Sequence, residues 1–195
     1  MNKEANTNYP INELIKKRWS PRSFEDKAVT PGQIKNLVDA ARWAASSYNE
    51  QPWRFIVGLK GDDTYDKILD CLVEWNQNWA NGAAFLMLGF GKQHFSHNDS
   101  INRHRAYDLG QSVATMTIQA TDMGLHMHQM AGYSSSKVLE NFNVPEEYEP
   151  IVAIAGGYVG KPEDLADDYR ESELAKRKRK GLEQILFHGD WEKPF

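Results

Sequence analysis

The chain has 195 residues, enough for one domain with a full hydrophobic core. Its 41% hydrophobic content excludes a disordered chain, and no apolar run approaches the ~20 residues that a membrane-spanning helix needs. A net charge of −4 argues against nucleic acid or an anionic membrane as the main partner, and a single cysteine, Cys71, excludes an intramolecular disulfide framework.

The first residues, Met1 to Asn6, are polar and lack the apolar stretch of a signal peptide. With the lone cysteine, this points to a reducing, cytoplasmic setting. Residues 11–18 carry Ile11, Leu14 and Ile15 at the spacing of a short amphipathic helix. A second helix starts where Thr30 can cap it, with Pro31 at the first helical position and Gln33 completing a capping box. Ile34, Leu37, Val38 and Ala41 then fall on one face, and the helix ends near Ser46 and Ser47. Residues 53–59 read as a strand. Residues 62–76 read as one helix through Tyr65, Ile68, Leu69, Leu72 and Val73. Residues 83–90 are short and almost wholly apolar, as in a central strand covered on both faces.

Residues 106–123 form the longest predicted helix. Leu109, Val113, Met116, Ala120 and Met123 recur with a seven-residue rhythm, a seam for the sheet or for the same helix of a second subunit. Gly124 stops that helix. Residues 125–130 read as a strand, 136–142 as a short helix and 150–159 as another mostly apolar strand. From Ser172 the tail is highly charged, then turns apolar at Leu182, Ile185, Leu186, Phe187 and Trp191. An apolar end on a charged tail fits a partner surface. No repeat, low-complexity tract or linker divides the chain, so residues 1–195 read as a single α+β domain with layered helices and strands.

Two segments carry chemistry. Arg18-Trp19-Ser20-Pro21-Arg22 sets two guanidinium groups and a hydroxyl around a proline turn, suited to phosphate or simply to a solvated helix end. Ser46-Ser47-Tyr48-Asn49-Glu50-Gln51 gathers hydroxyl and amide groups, fit for a ligand or for capping and turning the chain. A basic run, Lys176 to Lys180, brings Arg177 and Arg179 as further candidates for an anion. His126 and His128 alternate on a strand, but no third ligand has metal-site spacing, so no metal is expected. Gly89-Phe90-Gly91 and Gly156-Gly157-Tyr158-Val159-Gly160 both miss the Rossmann glycine pattern, and no Walker A motif or nucleophile elbow is present. No side chain stands out as a catalytic acid, base or nucleophile. A bound cofactor that does the chemistry itself fits this pattern.

Together these motifs resemble the nitroreductase family of FMN-dependent oxidoreductases. The family pattern R-x-S-x-[RK]-x-F stands here as Arg18-Trp19-Ser20-Pro21-Arg22-Ser23-Phe24. Its second pattern, A-A-x-x-A-P-S-S-x-N-x-Q-P-W-x-F, runs from Ala40 to Phe55, with Ala45 in place of the usual proline. Tyr107 to Gln111 and Met123-Gly124-Leu125 match the long central helix and its end. Gly181 stands where a proline often follows the C-terminal basic pair.

The resemblance implies a mixed, mainly antiparallel sheet wrapped by helices, in an intertwined homodimer with FMN at the subunit interface. It assigns Arg18 and Ser20 to the phosphate and ribityl end, with Arg177 and Arg179 closing on the phosphate, counts Trp19 among the cofactor-binding residues, and sets Arg22 near flavin N1 and O2. Ala45, Ser46, Ser47 and Asn49 of the second subunit would line the ring edge. Gln129, Met130, Ala131 and Gly132 would present backbone N–H groups to N5 and O4, and Asn76 would add a polar contact. It further implies hydride transfer from NADH or NADPH to a nitroaromatic, quinone or similar small-molecule acceptor. Enone, flavin or dehalogenating reduction on the same fold, and a non-catalytic flavin-binding role, remain alternatives.

Overall fold

The computed structural model describes residues 3–195. The apolar segments pair into one sheet: β1 (Trp53–Leu59), β2 (Phe85–Lys92), β3 (His126–Met130) and β4 (Tyr148–Gly157). Strand order is β1-β2-β4-β3, and all three pairings are antiparallel. The mainly antiparallel sheet expected from the sequence is present, with no parallel pairing among the described residues. β2 is buried from Phe85 through Gly91, which explains its continuous apolar run. At the sheet centre, a Cβ on Gly156 would come within 2.2 Å of the Phe85 ring, so close approach demands glycine there.

Among the described residues, seven α-helices surround the sheet: α1 (Glu13–Lys17), α2 (Pro31–Ala41), α3 (Asp63–Cys71), α4 (Glu74–Ala80), α5 (Arg105–Asp122), α6 (Ser135–Asn141) and α7 (Asp167–Leu174). The Thr30–Gln33 capping box forms as expected and starts α2. On one face of the sheet, Leu37 and Ala41 of α2 and Leu109, Val113, Met116 and Ala120 of α5 pack on Phe85, Met87, Met127 and Ile154. On the other, Tyr65, Ile68, Trp79, Val138 and Tyr169 of α3, α4, α6 and α7 pack on Leu86, Leu88, Ala153 and Ala155. Each large apolar side chain buried in these layers contributes about 1.5–3 kcal/mol.

The seven-residue seam therefore belongs to the chain's own sheet. A different face of α5, with Ala114, Thr115, Ile118 and Gln119, lines an open groove with Leu14 and Ala40. The single helix expected over 62–76 is broken. Leu72 is extended (φ −74°, ψ 154°) and bridges Tyr133, and the Val73 N–H donates to the Gly132 carbonyl. Tertiary pairing overrides helix propensity at that point. Helix α7 was not legible in its charged sequence. The tail closes on itself through a Phe187–Pro194 bridge and leaves Trp191 and Phe195 exposed. No helix among the described residues is long and apolar enough to cross a membrane.

Candidate functional site

The chain leaves α1 at Arg18, and residues 18–23 pass alongside edge strand β3. His128 of β3 places Nδ1 2.9 Å from the Pro21 carbonyl. A carbonyl only accepts, so Nδ1 carries the proton. Burial, opposed by the bond to Pro21 and aided by neighbouring Arg22, presses His128 down to about 4. Its ring is therefore neutral at pH 7, and it packs on Trp79 of α4 at 4.6 Å between centroids. From the opposite side, Glu173 of α7 accepts the Arg22 N–H at 3.1 and 3.0 Å and the Ser23 N–H at 3.2 Å. Glu173 is 1% exposed, and burial raises its carboxyl above the ordinary value despite those hydrogen bonds. The turn is thus gripped through its own backbone from two sides.

Around this turn the cations converge. Arg18 Nη1 donates to Ser20 Oγ at 3.2 Å. Burial, then the charges of Arg177 and Arg179, hold Arg18 below its usual value. Arg177 is lowered the same way, by burial and then Arg179. Its Nη1 donates to the Lys3 and Lys16 carbonyls at 2.8 and 3.1 Å, which pins the tail against the N-terminal segment. Arg179 is exposed, and it donates locally to the Lys178 carbonyl at 2.8 Å. Among the described residues, none of the ion pairs includes Arg18, Arg22, Arg177 or Arg179. The like charges of Arg18, Arg177 and Arg179, gathered without an ion pair, are costly, and a dianion with forked acceptors suits this donor set. Arg22 lies over Trp79, with Cζ 5.9 Å from the ring, and its Nε is buried without a partner.

The same corner includes Asn76 and the end of β3. Asn76 Nδ2 donates to the Gly132 carbonyl at 3.0 Å, and the Val73 N–H donates to that carbonyl at 3.1 Å. A Cβ on Gly132 would stand 2.6 Å from Asn76 Nδ2, so the strand end is pressed onto α4. Gln129 and Ala131 are exposed there, while Met130 is buried. Trp19 turns elsewhere. Its ring meets His126 edge-on at 6.1 Å and Lys3 Nζ at 5.4 Å, in a cleft shared with Lys17 and Lys161 that neither Arg18 nor Ser20 lines.

The Ser/Asn loop sits at the opposite edge of the sheet, just before β1. Buried Asp108 of α5 accepts the Ser47 N–H at 3.1 Å. Ser46 Oγ accepts the Gln51 N–H at 3.0 Å, and Glu50 accepts the Ser96 N–H at 3.0 Å and hydroxyl at 2.6 Å. Tyr48, Asn49 and Gln51 all have positive φ, 53°, 54° and 51°. Such strain persists only where the surroundings enforce it, and it clusters at functional sites. One chain therefore gathers Arg18, Ser20, Arg22, Asn76, Gln129 to Gly132, Arg177 and Arg179 at the β3 edge. It leaves Ala45, Ser46, Ser47 and Asn49 at the β1 edge. Sequence reasoning missed Glu173, Trp79 and Asp108. It flagged His126 and His128 as sharing a face, but not that His128 supports the turn. No His, Cys, Asp and Glu grouping among the described residues suits a metal ion.

Comparison with known proteins gives a consistent picture. The sequence profile of the nitroreductase family matches residues 15–78 and 60–158. An uncharacterized 15.4 kDa protein of Mycolicibacterium smegmatis is 30% identical over 149 residues, covering 72% of this chain and 99% of that protein. The major NAD(P)H-flavin oxidoreductase of Aliivibrio fischeri is 25% identical over 136 residues, 68% of this chain and 57% of the relative. Among solved structures, an oxidoreductase containing FMN superposes with a TM-score of 0.92 at 29% identity, covering 98% of both chains.

Proposed function

This chain belongs to the nitroreductase family, and we propose that it is an FMN-dependent oxidoreductase in which the whole chain acts as one flavin-binding domain. The residues fit that cofactor. The Arg18 guanidinium bonded to Ser20, with the charges of Arg177 and Arg179 acting on it, matches a phosphate, and the unpartnered Arg22 Nε offers a donor beside the Asn76–Gly132 corner. When bound, FMN supplies hydride-transfer chemistry between NADH or NADPH and a nitroaromatic, quinone or similar acceptor.

The chain's own residues bind, orient and tune. Arg18 and Ser20, with Arg177 and Arg179 from the tail, hold the phosphate. Arg22 sets a permanent cation at the pyrimidine end of the flavin, which favours the negative charge of the reduced form. Gln129 to Gly132 offer backbone N–H groups along the ring edge. No side chain has to act as nucleophile.

The observation that carries the quaternary reading is the placement of the two motifs at opposite edges of one sheet. A site that uses both draws Ala45, Ser46, Ser47 and Asn49 from a second copy. We therefore read the working unit as a homodimer, with the groove between α1, α2 and α5 as a contact face. The buried thiol of Cys71 is compatible with the cytoplasm.

An absorption spectrum tests the reading. The purified protein should carry or take up FMN, bleach anaerobically with NADH or NADPH, and recover colour on addition of a nitroaromatic or quinone. A colourless protein that binds no added FMN refutes it. A flavin-loaded monomer by light scattering refutes the shared site.

A further inference from the structure

Four groups converge beneath the Arg18–Arg22 turn without being placed to touch a ligand: Glu173, His128, Trp79 and the Arg22 backbone. Glu173 is a buried carboxylate whose hydrogen bonds go to backbone, two to the Arg22 N–H and one to the Ser23 N–H. A carboxylate buried in this way is costly unless it accepts hydrogen bonds, and these two backbone N–H groups offset part of that cost. On the other side of the same turn, His128 holds the Pro21 carbonyl. Trp79 packs against the His128 ring and under the Arg22 guanidinium. The two peptide units that flank Arg22, Pro21–Arg22 and Arg22–Ser23, are therefore fixed, and a tryptophan face limits where the side chain can swing.

We propose that Glu173, acting with His128, is a positioning residue that aims the Arg22 guanidinium at the redox-active end of the cofactor and so sets its reduction potential. The inference rests on the FMN reading given above. A second feature supports it: Glu173 lies in the last turn of α7, four residues before Arg177. One carboxylate thereby ties the N-terminal turn to the C-terminal arm whose guanidinium groups gather on Arg18. The two halves of the anion site, about 155 residues apart in sequence, are set in register by this contact. The Coulomb attraction of a fixed cation for charge developing on a nearby ring depends on distance and direction, so a freely rotating Arg22 would stabilise the reduced form less.

The test uses Glu173→Gln, which keeps size and shape but turns an N–H donor toward the backbone N–H groups. Three quantities are read on the full chain: the midpoint potential of bound FMN, its dissociation constant, and amide exchange of Arg22 and Ser23 in the flavin-free protein. The expected result is faster exchange at both amides and about a tenfold loss in preference for reduced over oxidised FMN, about 30 mV downward for a two-electron couple. Glu173→Gln added to Arg22→Ala should lower the potential no further than Arg22→Ala alone. A variant that melts earlier but leaves the potential unchanged assigns Glu173 a purely structural role and overturns the proposal. Additive shifts in the double variant overturn it too. If Glu173→Gln does not fold, His128→Phe, which keeps the packing on Trp79 and loses the Pro21 bond, carries the same measurement. A wild-type protein that takes up no FMN refutes the cofactor reading itself and the proposal with it, whereas a wild type that binds FMN with a potential insensitive to Glu173 refutes only the proposal.

Discussion

Ser47 and Asp108 are joined by a hydrogen bond of 3.1 Å that spans 61 positions of sequence. Asp108 lies in the first turn of α5, where the helix dipole favours a carboxylate, and it is 2% exposed. It is the anchor by which the long central helix fixes the strained loop that would reach a second copy's cofactor. Asp108→Ala should cost about 1–3 kcal/mol by leaving the Ser47 N–H unsatisfied. Because the loop would loosen, FMN affinity should fall as well. Asp108→Asn, which keeps an acceptor oxygen, should lose less of both. Thermal melting and FMN titration check this, and equal losses in the two variants would remove the acceptor from the explanation.

Arg18 and Arg22 lie four positions apart but face different neighbours. Arg18 sits with Ser20, Arg177 and Arg179, whereas Arg22 sits over Trp79. Arg18→Ala should mainly weaken FMN retention, by about 1.5–3 kcal/mol for a lost charged hydrogen bond. Arg22→Ala should also shift the flavin potential downward. Fluorescence titration and anaerobic potentiometry separate the two. The same purely binding defect in both variants would contradict the division.

The sequence announced the elements that periodicity and caps control. The α2 capping box, the apolar β2 strand and the long α5 all appear close to where the pattern puts them. It could not announce the break at Leu72, because the cause is a bridge to Tyr133 far along the chain. The Arg18 and Arg22 turn was visible as a candidate because two guanidinium groups and a hydroxyl flank one proline. Glu173 was not, since one buried glutamate inside a charged tail has no distinguishing spacing. Nor could local pattern show that the α5 seam faces its own sheet, because heptad spacing serves either partner equally.

Gly132 meets α4 closely enough that a methyl group has no room. A Cβ there would stand 2.6 Å from Asn76 Nδ2 and 2.9 Å from Val73 Cγ2. Gly132→Ala should displace the Asn76 side chain, break its bond to the Gly132 carbonyl and cost about 1–3 kcal/mol. In an Asn76→Ala background the same change should cost less, because one of the two obstructing groups is gone. Urea unfolding of the four proteins in this cycle gives the coupling. Strict additivity would show that Asn76 does not resist the added methyl.

His128 makes the stability of the fold depend on pH in a direction that can be worked out. Its pKa falls from 6.5 to about 4 in the folded chain, chiefly through burial. Between those values the unfolded chain holds a proton that the native ring does not. Acid therefore favours unfolding: the contribution is intact above about pH 6.5, fades as pH falls toward 4, and is constant below that. Over the whole window it amounts to about 3 kcal/mol. His126, also lowered by burial, acts in the same direction. Glu173 acts in the opposite direction. Its raised carboxyl favours the fold at low pH, and that share is lost as pH rises through the folded value. Comparison with His128→Phe cancels these shared slopes and isolates the one group. Wild type should lose about 2 kcal/mol more than His128→Phe between pH 7 and pH 4.5 in urea unfolding. Parallel losses in the two proteins would mean that His128 already carries a proton in the native state, and its bond to Pro21 would then need no neutral tautomer.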